Sequence, residues 1–213
     1  MTHVPEELRE IHLFCDGCAG QNKNWTVLRY FHYLVHELKR FDTLKVSFPI
    51  CWHSYMECDS DMTNVKQGTR VETPSGWHDV FKSARVHPSP YNVIAVSQDK
   101  FKNYSTHLRS FYRLTCPAPT RPLREVKFEI DHPRLMLHRD CWNGPFCSSV
   151  VCKGARSRKQ PAVPLEASYD GPLPISDAKH ADLQVLKRFC SPENQPYYEK
   201  LVHNSTAAEE NDE

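Results

Sequence analysis

Residues Ile11–Asn24 read IHLFCDGCAGQNKN, and the fold turns on how this stretch is read. Ile11 to Cys15 is a short apolar run closed by Asp16, Gly17 and Gly20, the pattern of a buried strand that presents a carboxylate at its C-terminal end. Gln21, Asn22, Lys23 and Asn24 then lead into a helical pattern. A strand, an acidic residue at its tip and a polar loop entering a helix is where open α/β sheets gather ligands. The plainer alternative makes Asp16 a turn residue and Cys15 and Cys18 core thiols; spacing alone weighs the two about evenly.

Moving outward, Asn24 can cap a helix by accepting one of its orphan N–H groups. Val27, Leu28, Phe31, Leu34, Val35 and Leu38 fall on one stripe at helical period. His32 and His36 are spaced i, i+4, as a chelating pair would be. No HExxH pattern surrounds them, so a solvated helix face is the preferred reading. Asp42 and Thr43 make a turn, and Leu44 to Ile50 alternates in part, as a strand does. Two strands joined by one amphipathic helix predict parallel pairing with a right-handed crossover. Both strand tips then share one edge of the sheet. The second tip carries Cys51, Trp52, His53, Ser54, Glu57, Cys58, Asp59 and Asp61, which this topology places beside Asp16.

The remainder is less regular. Met62 to Arg70 is weakly helical, and Pro74-Ser75-Gly76 opens a short helix running to about Arg85. Tyr91 to Val96 reads as a strand and Asp99 to Leu114 as helical or mixed. Three short strands are expected at Val126–Ile130, Leu135–Leu137 and Ser148–Val151. Residues 153–174 form a linker rich in charge, Pro and Gly. Ser176 caps a helix whose Leu183, Leu186 and Phe189 face inward. Residues 1–10 are expected to fray, and the acidic residues 204–213 to be disordered.

The 213 residues carry 27 basic and 26 acidic side chains, a net charge of +1. Any nucleic-acid footprint must therefore be local. The opening residues hold no apolar signal-peptide region, and no run approaches the roughly 18 apolar residues of a membrane span. The expected compartment is nuclear or cytoplasmic, not secreted. Nine cysteines then read as reduced thiols rather than a disulfide framework.

Three chemistries compete. Asp16 and Asp59, helped by His53, Asp61 or Glu57, could bind Mg²⁺ or Mn²⁺ through oxygen. Two such ions roughly 3.5–4 Å apart can drive phosphodiester chemistry, with Asp16 and Asp59 catalytic. Asn22 and Lys23 would hold a phosphate nearby, and Lys153, Arg156, Arg158 and Lys159 in the linker could touch more of a nucleic-acid backbone. Zinc is the alternative, with Cys15, Cys18, Cys51, His53 and Cys58 as one donor set and His132, His138, Cys141, Cys147 and Cys152 as another. Cys15 should face the core if Asp16 faces the edge, which weakens the first set. Irregular spacing favours packed thiols for the second. Nucleophilic Cys–His catalysis has no activating motif to single out one cysteine.

The segments FCDGCAGQNKN (14–24) and WHSYMECDSDM (52–62) carry a resemblance. They resemble an uncharacterised domain family of transposon-derived animal proteins, whose members show D-N-C-x-G-Q-N-K-N and later G-H-S-x-x-x-x-D. REVKFEIDHPRLMLHRD (124–140) and PLPISDAKHADLQVLKRFC (172–190) look like it too, so the likeness runs from about Ile11 to Leu201. That family is similar to the RNase H-like fold of DDE transposases and integrases. The resemblance implies an α/β partial RNase H-like fold over residues 1–115, a β-rich extension over 116–152, the linker 153–174, a helical segment 175–203 and the tail. Asp16 would match the second acidic position and Asp59 the third, with Asp61 a rival. Gly17 and Trp52 depart from the family's Asn and Gly. The RNase H-like fold opens with three strands and a first catalytic Asp, whereas this chain starts at the fourth strand. The implied protein is N-terminally truncated, with ancestral metal-dependent chemistry on DNA and little or no activity. The alternative is a non-catalytic module binding zinc, nucleic acid or protein. Because the fourth strand of that fold pairs with the first, Ile11–Cys15 would expose a bare edge. An upstream segment or partner chain would have to cover it.

Overall fold

A computed structural model describes residues 4–50, 56–66, 70–154 and 163–206. The chain divides into two compact units, each drawn from two separate stretches: residues 1–54 with 103–166, and residues 55–102 with 167–213. The boundary expected at 115/116 falls inside the first unit.

The first unit is built on the predicted strand–helix–strand. Strand β1 (Glu10–Phe14) leads through helix α1 (Trp25–His36) to strand β2 (Thr43–Ser47), and β1 and β2 pair in parallel from Glu10↔Thr43 to Phe14↔Ser47. Asn24 caps α1 as expected, its side chain accepting from Val27 N at 3.0 Å. The helix ends earlier than the apolar stripe suggested. Leu38 lies beyond it and is exposed, and Lys39 turns the chain with φ 50°, the left-handed conformation common after helix ends.

The three later strands do not form a separate extension. β3 (Glu125–Glu129), β4 (Leu135–Arg139) and β5 (Cys147–Val150) continue the same sheet in the order β1-β2-β3-β4-β5, each antiparallel to its predecessor from β3 onward. The period-2 rule then sorts the side chains. Leu44 and Val46 of β2, Val126 and Phe128 of β3 and Met136 of β4 share one face. They are fully buried with Leu28, Leu34 and Val35 of α1. The other face carries Lys45, Ser47, Glu125, Lys127, Glu129 and Arg139.

Glu125 is 2% exposed and is the hub of that polar face. Lys45 Nζ lies 2.5 Å from its carboxylate, Ser47 Oγ donates to it at 3.1 Å, and Arg139 donates a short charge-assisted bond. His12 Nε2 joins Ser47 Oγ at 2.8 Å. A carboxylate this deep is tolerated because cations and a hydroxyl satisfy it.

Several expectations change. Residues 4–9 are tied down rather than frayed: Arg40 donates to the carbonyls of Val4, Pro5 and Leu8, and Arg9 pairs with Asp42 through two bonds. His32 is not on a solvated face. It is 1% exposed, with Nδ1 3.0 Å from Tyr112 Oη and its ring edge-on to Phe128. Tertiary partners that no local pattern announces draw the polar ring inward. Residues 91–97 form no strand. Of Asp99–Leu114, only α4 (Tyr104–Leu108) becomes a helix longer than one turn.

The second unit contains α2 (Glu57–Lys66), α3 (Gly76–Ser83), β6 (Ile175–Ser176), α5 (Asp177–Leu186), α6 (Gln195–Glu199) and β7 (His203–Asn204), with β6 and β7 paired in parallel. Ser176 caps α5, accepting from Lys179 N at 3.2 Å. Leu186 and Phe189 are exposed rather than inward-facing. Glu72 accepts from Ser191 N, Ser191 Oγ and Asn194 Nδ2 at 2.6–2.9 Å. Those donors hold its carboxyl down at about 2. Because this value lies below the unfolded one near 4.5, the contribution is complete above about pH 4.5 and disappears as pH falls towards 2.

Candidate functional site

Asp16 stands two residues past the end of β1, exposed, with Cys15 N bonded to Ser47 O just before it. Cys15 faces the core side and is half-buried, as alternation requires, and burial followed by the neighbouring Asp16 charge pushes its thiol pKa up. The loop folds back so that Asn22 Nδ2 donates to Asp16 Oδ1 at 2.6 Å and Cys18 N adds a longer bond of 3.3 Å. Cys18 O in turn accepts from Asn22 N and Lys23 N, both at 2.9 Å. The loop thus brings Asn22 to Asp16 and fixes the carboxylate's aim.

Lys23 is placed otherwise than expected. It is 6% exposed, its ammonium donates to Arg121 O at 2.7 Å and it sits over the Phe48 ring, so it packs the loop down instead of facing a phosphate. Asp59 is not at the tip of β2. Twelve positions separate it from Ser47, and it lies in the first turn of α2 in the second unit, where Oδ2 accepts from Met56 N at 3.1 Å. The strand–helix–strand unit therefore delivers Asp16 alone. Asp61 is engaged by Tyr91 Oη at 2.5 Å and Arg85 at 3.7 Å.

His53 and Cys51 lie outside the described residues, as do Arg156, Arg158 and Lys159 of the linker. Lys153 is described and half-buried, its N–H donating to Phe111 O at 3.0 Å. In the second cysteine cluster Cys152 is buried, Cys141 and Cys147 are exposed, and His138 Nε2 meets Ser149 Oγ at 2.9 Å. Among the described residues no group of three or more His, Cys, Asp or Glu could hold a metal ion. A two-metal centre needs about three carboxylates from separate elements, and the described residues do not supply that set.

A second feature borders the same loop. Gln21, Asn24, Thr26, Arg29, Ser105 and Arg109 are among the residues lining a cleft of about 830 Å³ at the N-terminus of α1. Arg29 is 4% exposed, and its guanidinium turns back along the helix, as helical side chains do. One amino group donates to Thr26 Oγ1 at 3.0 Å, and the ring of Trp25 lies 5.7 Å away. The Arg29 Nε is buried without a hydrogen-bond partner. Burial first, and then the charge of Arg109, push its pKa below the usual arginine range. Sequence reading passed over both arginines, because an arginine in a helix normally reads as surface. The one available signal was that the first turn of α1 contains no acidic residue.

Three histidines of this unit resist protonation. Burial lowers His12, His36 and His138; Lys45 adds to the effect at His12, and His132 at His36. Below about pH 6.5 the unfolded chain binds more protons than the folded one, so stability is full above that pH and declines as pH falls through the lowered values. The thermal midpoint should drop between pH 7.5 and 5.5, and His36→Gln should reduce the drop; a flat profile would contradict it.

No family model matches the chain, and no curated protein or solved structure is detectably similar to it. Among the described residues no helix is long and apolar enough to cross a membrane.

Proposed function

We propose that this chain is a transposon-derived RNase H-like domain that binds DNA through the sugar-phosphate backbone and no longer cuts it. The observation that carries the reading is the parallel β1–α1–β2 unit, with Asp16 held by Asn22 where β1 ends. That is the place where open α/β sheets keep their ligands. The lack of cutting is supported by the donor set. Among the described residues of its own unit, Asp16 would give a hard divalent cation one anchoring carboxylate and water elsewhere, too little by itself to stabilise both the attacking and leaving oxygens of a phosphodiester. A nuclear location follows from the reading.

The test uses the full chain with a fluorescent DNA duplex at several salt concentrations. Binding should weaken steeply with salt, in proportion to the phosphates neutralised. With Mn²⁺ or Mg²⁺ added, no cleavage or strand transfer should appear, and Asp16→Asn should leave binding within about twofold. Cleavage lost in Asp16→Asn would restore a catalytic role to that carboxylate. Absence of salt-sensitive binding at low ionic strength would end the nucleic-acid reading.

A further inference from the structure

The cleft at the start of α1 is built against its own electrostatics. Helix N-termini favour negative charge, because the first N–H groups point outward and the helix dipole is positive there. Over this twelve-residue helix the sequence does the reverse: no acidic residue occupies the first turn. Arg29 is folded back towards that end, and Arg109, the residue just after α4, adds a second cation whose charge Arg29 feels.

Arg29 is also more than nine-tenths buried. Among the described residues it has no carboxylate partner, its single hydrogen bond goes to a neutral hydroxyl, and Nε is unsatisfied. A buried guanidinium ordinarily sits in an ion pair. The uncharged groups around it, Gln21, Asn24, Thr26 and Ser105, are hydrogen-bonding side chains of the kind that surround oxyanions.

We propose that this cleft is a phosphate-binding site, with Arg29 and Arg109 as charge partners and the first-turn N–H groups of α1 that the Asn24 cap leaves unbonded as the third contact. The group bound is a tetrahedral phosphate, free or carried by a nucleotide. The site stands whether or not the protein binds duplex DNA. Arg29 is held by burial, and Arg109 is exposed to solvent.

Titration calorimetry and thermal denaturation test this, with inorganic phosphate and chloride at matched ionic strength. Phosphate at tens of millimolar should raise the thermal midpoint by a few degrees more than chloride does, as binding to the folded state requires. Arg109→Gln, at an exposed position, should fold normally and weaken phosphate binding about tenfold. Arg29→Met removes a buried charge and should leave stability in phosphate-free buffer unchanged or raised while abolishing the phosphate shift. A merely structural arginine would give destabilisation instead.

A dinucleotide carrying a 5′-phosphate separates the two sources. If it binds about tenfold tighter than inorganic phosphate, and loses that margin in Arg109→Gln, the phosphate is carried by a nucleotide; equal affinities assign free phosphate. A wild-type midpoint that moves identically in phosphate and chloride overturns the site, as does an undiminished phosphate shift in both variants. Loss of duplex binding with the phosphate shift intact would remove the DNA reading and leave this site standing.

Discussion

Phe128→Ala should lower the stability of the first unit by about 3–5 kcal/mol, seen as an earlier urea midpoint and a thermal midpoint lower by roughly 10 °C. Phe128 is fully buried in β3, in the middle of the sheet, and its ring meets His32 of α1 edge-on at 5.7 Å between centroids. Removing it takes away apolar area and leaves a cavity under α1. The neighbours cannot easily close that cavity, because Leu44 and Val126 are held by strand pairing and Leu28 and Leu34 by the helix. It also uncovers an imidazole that was shielded from water. A loss below about 1 kcal/mol would mean that α1 does not pack on β3 as described.

Glu125→Ala is the second large effect, expected at about 2–4 kcal/mol at neutral pH. Breaking a buried ion pair from one side leaves charge without compensation. Here two cations would be stranded, Lys45 and Arg139, together with the Ser47 hydroxyl. The figure stays below that for a fully buried pair because both cations retain some contact with water. The same network sets an acid limit. Burial raises the Glu125 pKa, but the bonds from Lys45, Arg139 and Ser47 outweigh it and the net is below the ordinary value of 4.5. Its contribution is therefore complete above about pH 4.5 and lost as pH falls through the lowered value. Urea titrations at pH 7 and pH 3.5 should show the difference between wild type and Glu125→Ala shrinking on acidification. A constant difference would place the carboxylate outside the network.

The parts of this fold that could be read from the sequence are those with a local cause. The stripe in α1, its Asn24 cap, the Ser176 cap, the apolar run of β1 and the partial alternation in β2 each depend on residues within a few positions of one another. The side on which Cys15 faces followed from the same alternation. What escaped was set at long range. The strands after residue 124 were legible as strands, yet their place in the sheet was not, because the pairing of β2 with β3 links segments far apart in the chain and leaves no periodic trace. Burial of His32 depends on Tyr112 and Phe128, and of Lys23 on Phe48 and the Arg121 carbonyl. Neither histidine nor lysine announces such a partner. Asp59 was read with the tip of β2, and it belongs to α2, twelve positions past Ser47 and in the second unit, a division of the chain that no local pattern marks.

The order of the sheet has one consequence for how the molecule is made. Ser47 and Glu125, which close the β2–β3 pair, are 78 positions apart. At ribosomal speeds of about 5–20 residues per second, roughly 4–16 seconds pass between the synthesis of one and of the other. During that interval the backbone of Thr43–Ser47 has no β3 to pair with, and Leu44 and Val46 lack the Phe128 and Val126 that lie beside them in the finished core. An unpaired strand edge and uncovered apolar side chains are what chaperones shelter, so co-expressed chaperones should raise the yield in cells.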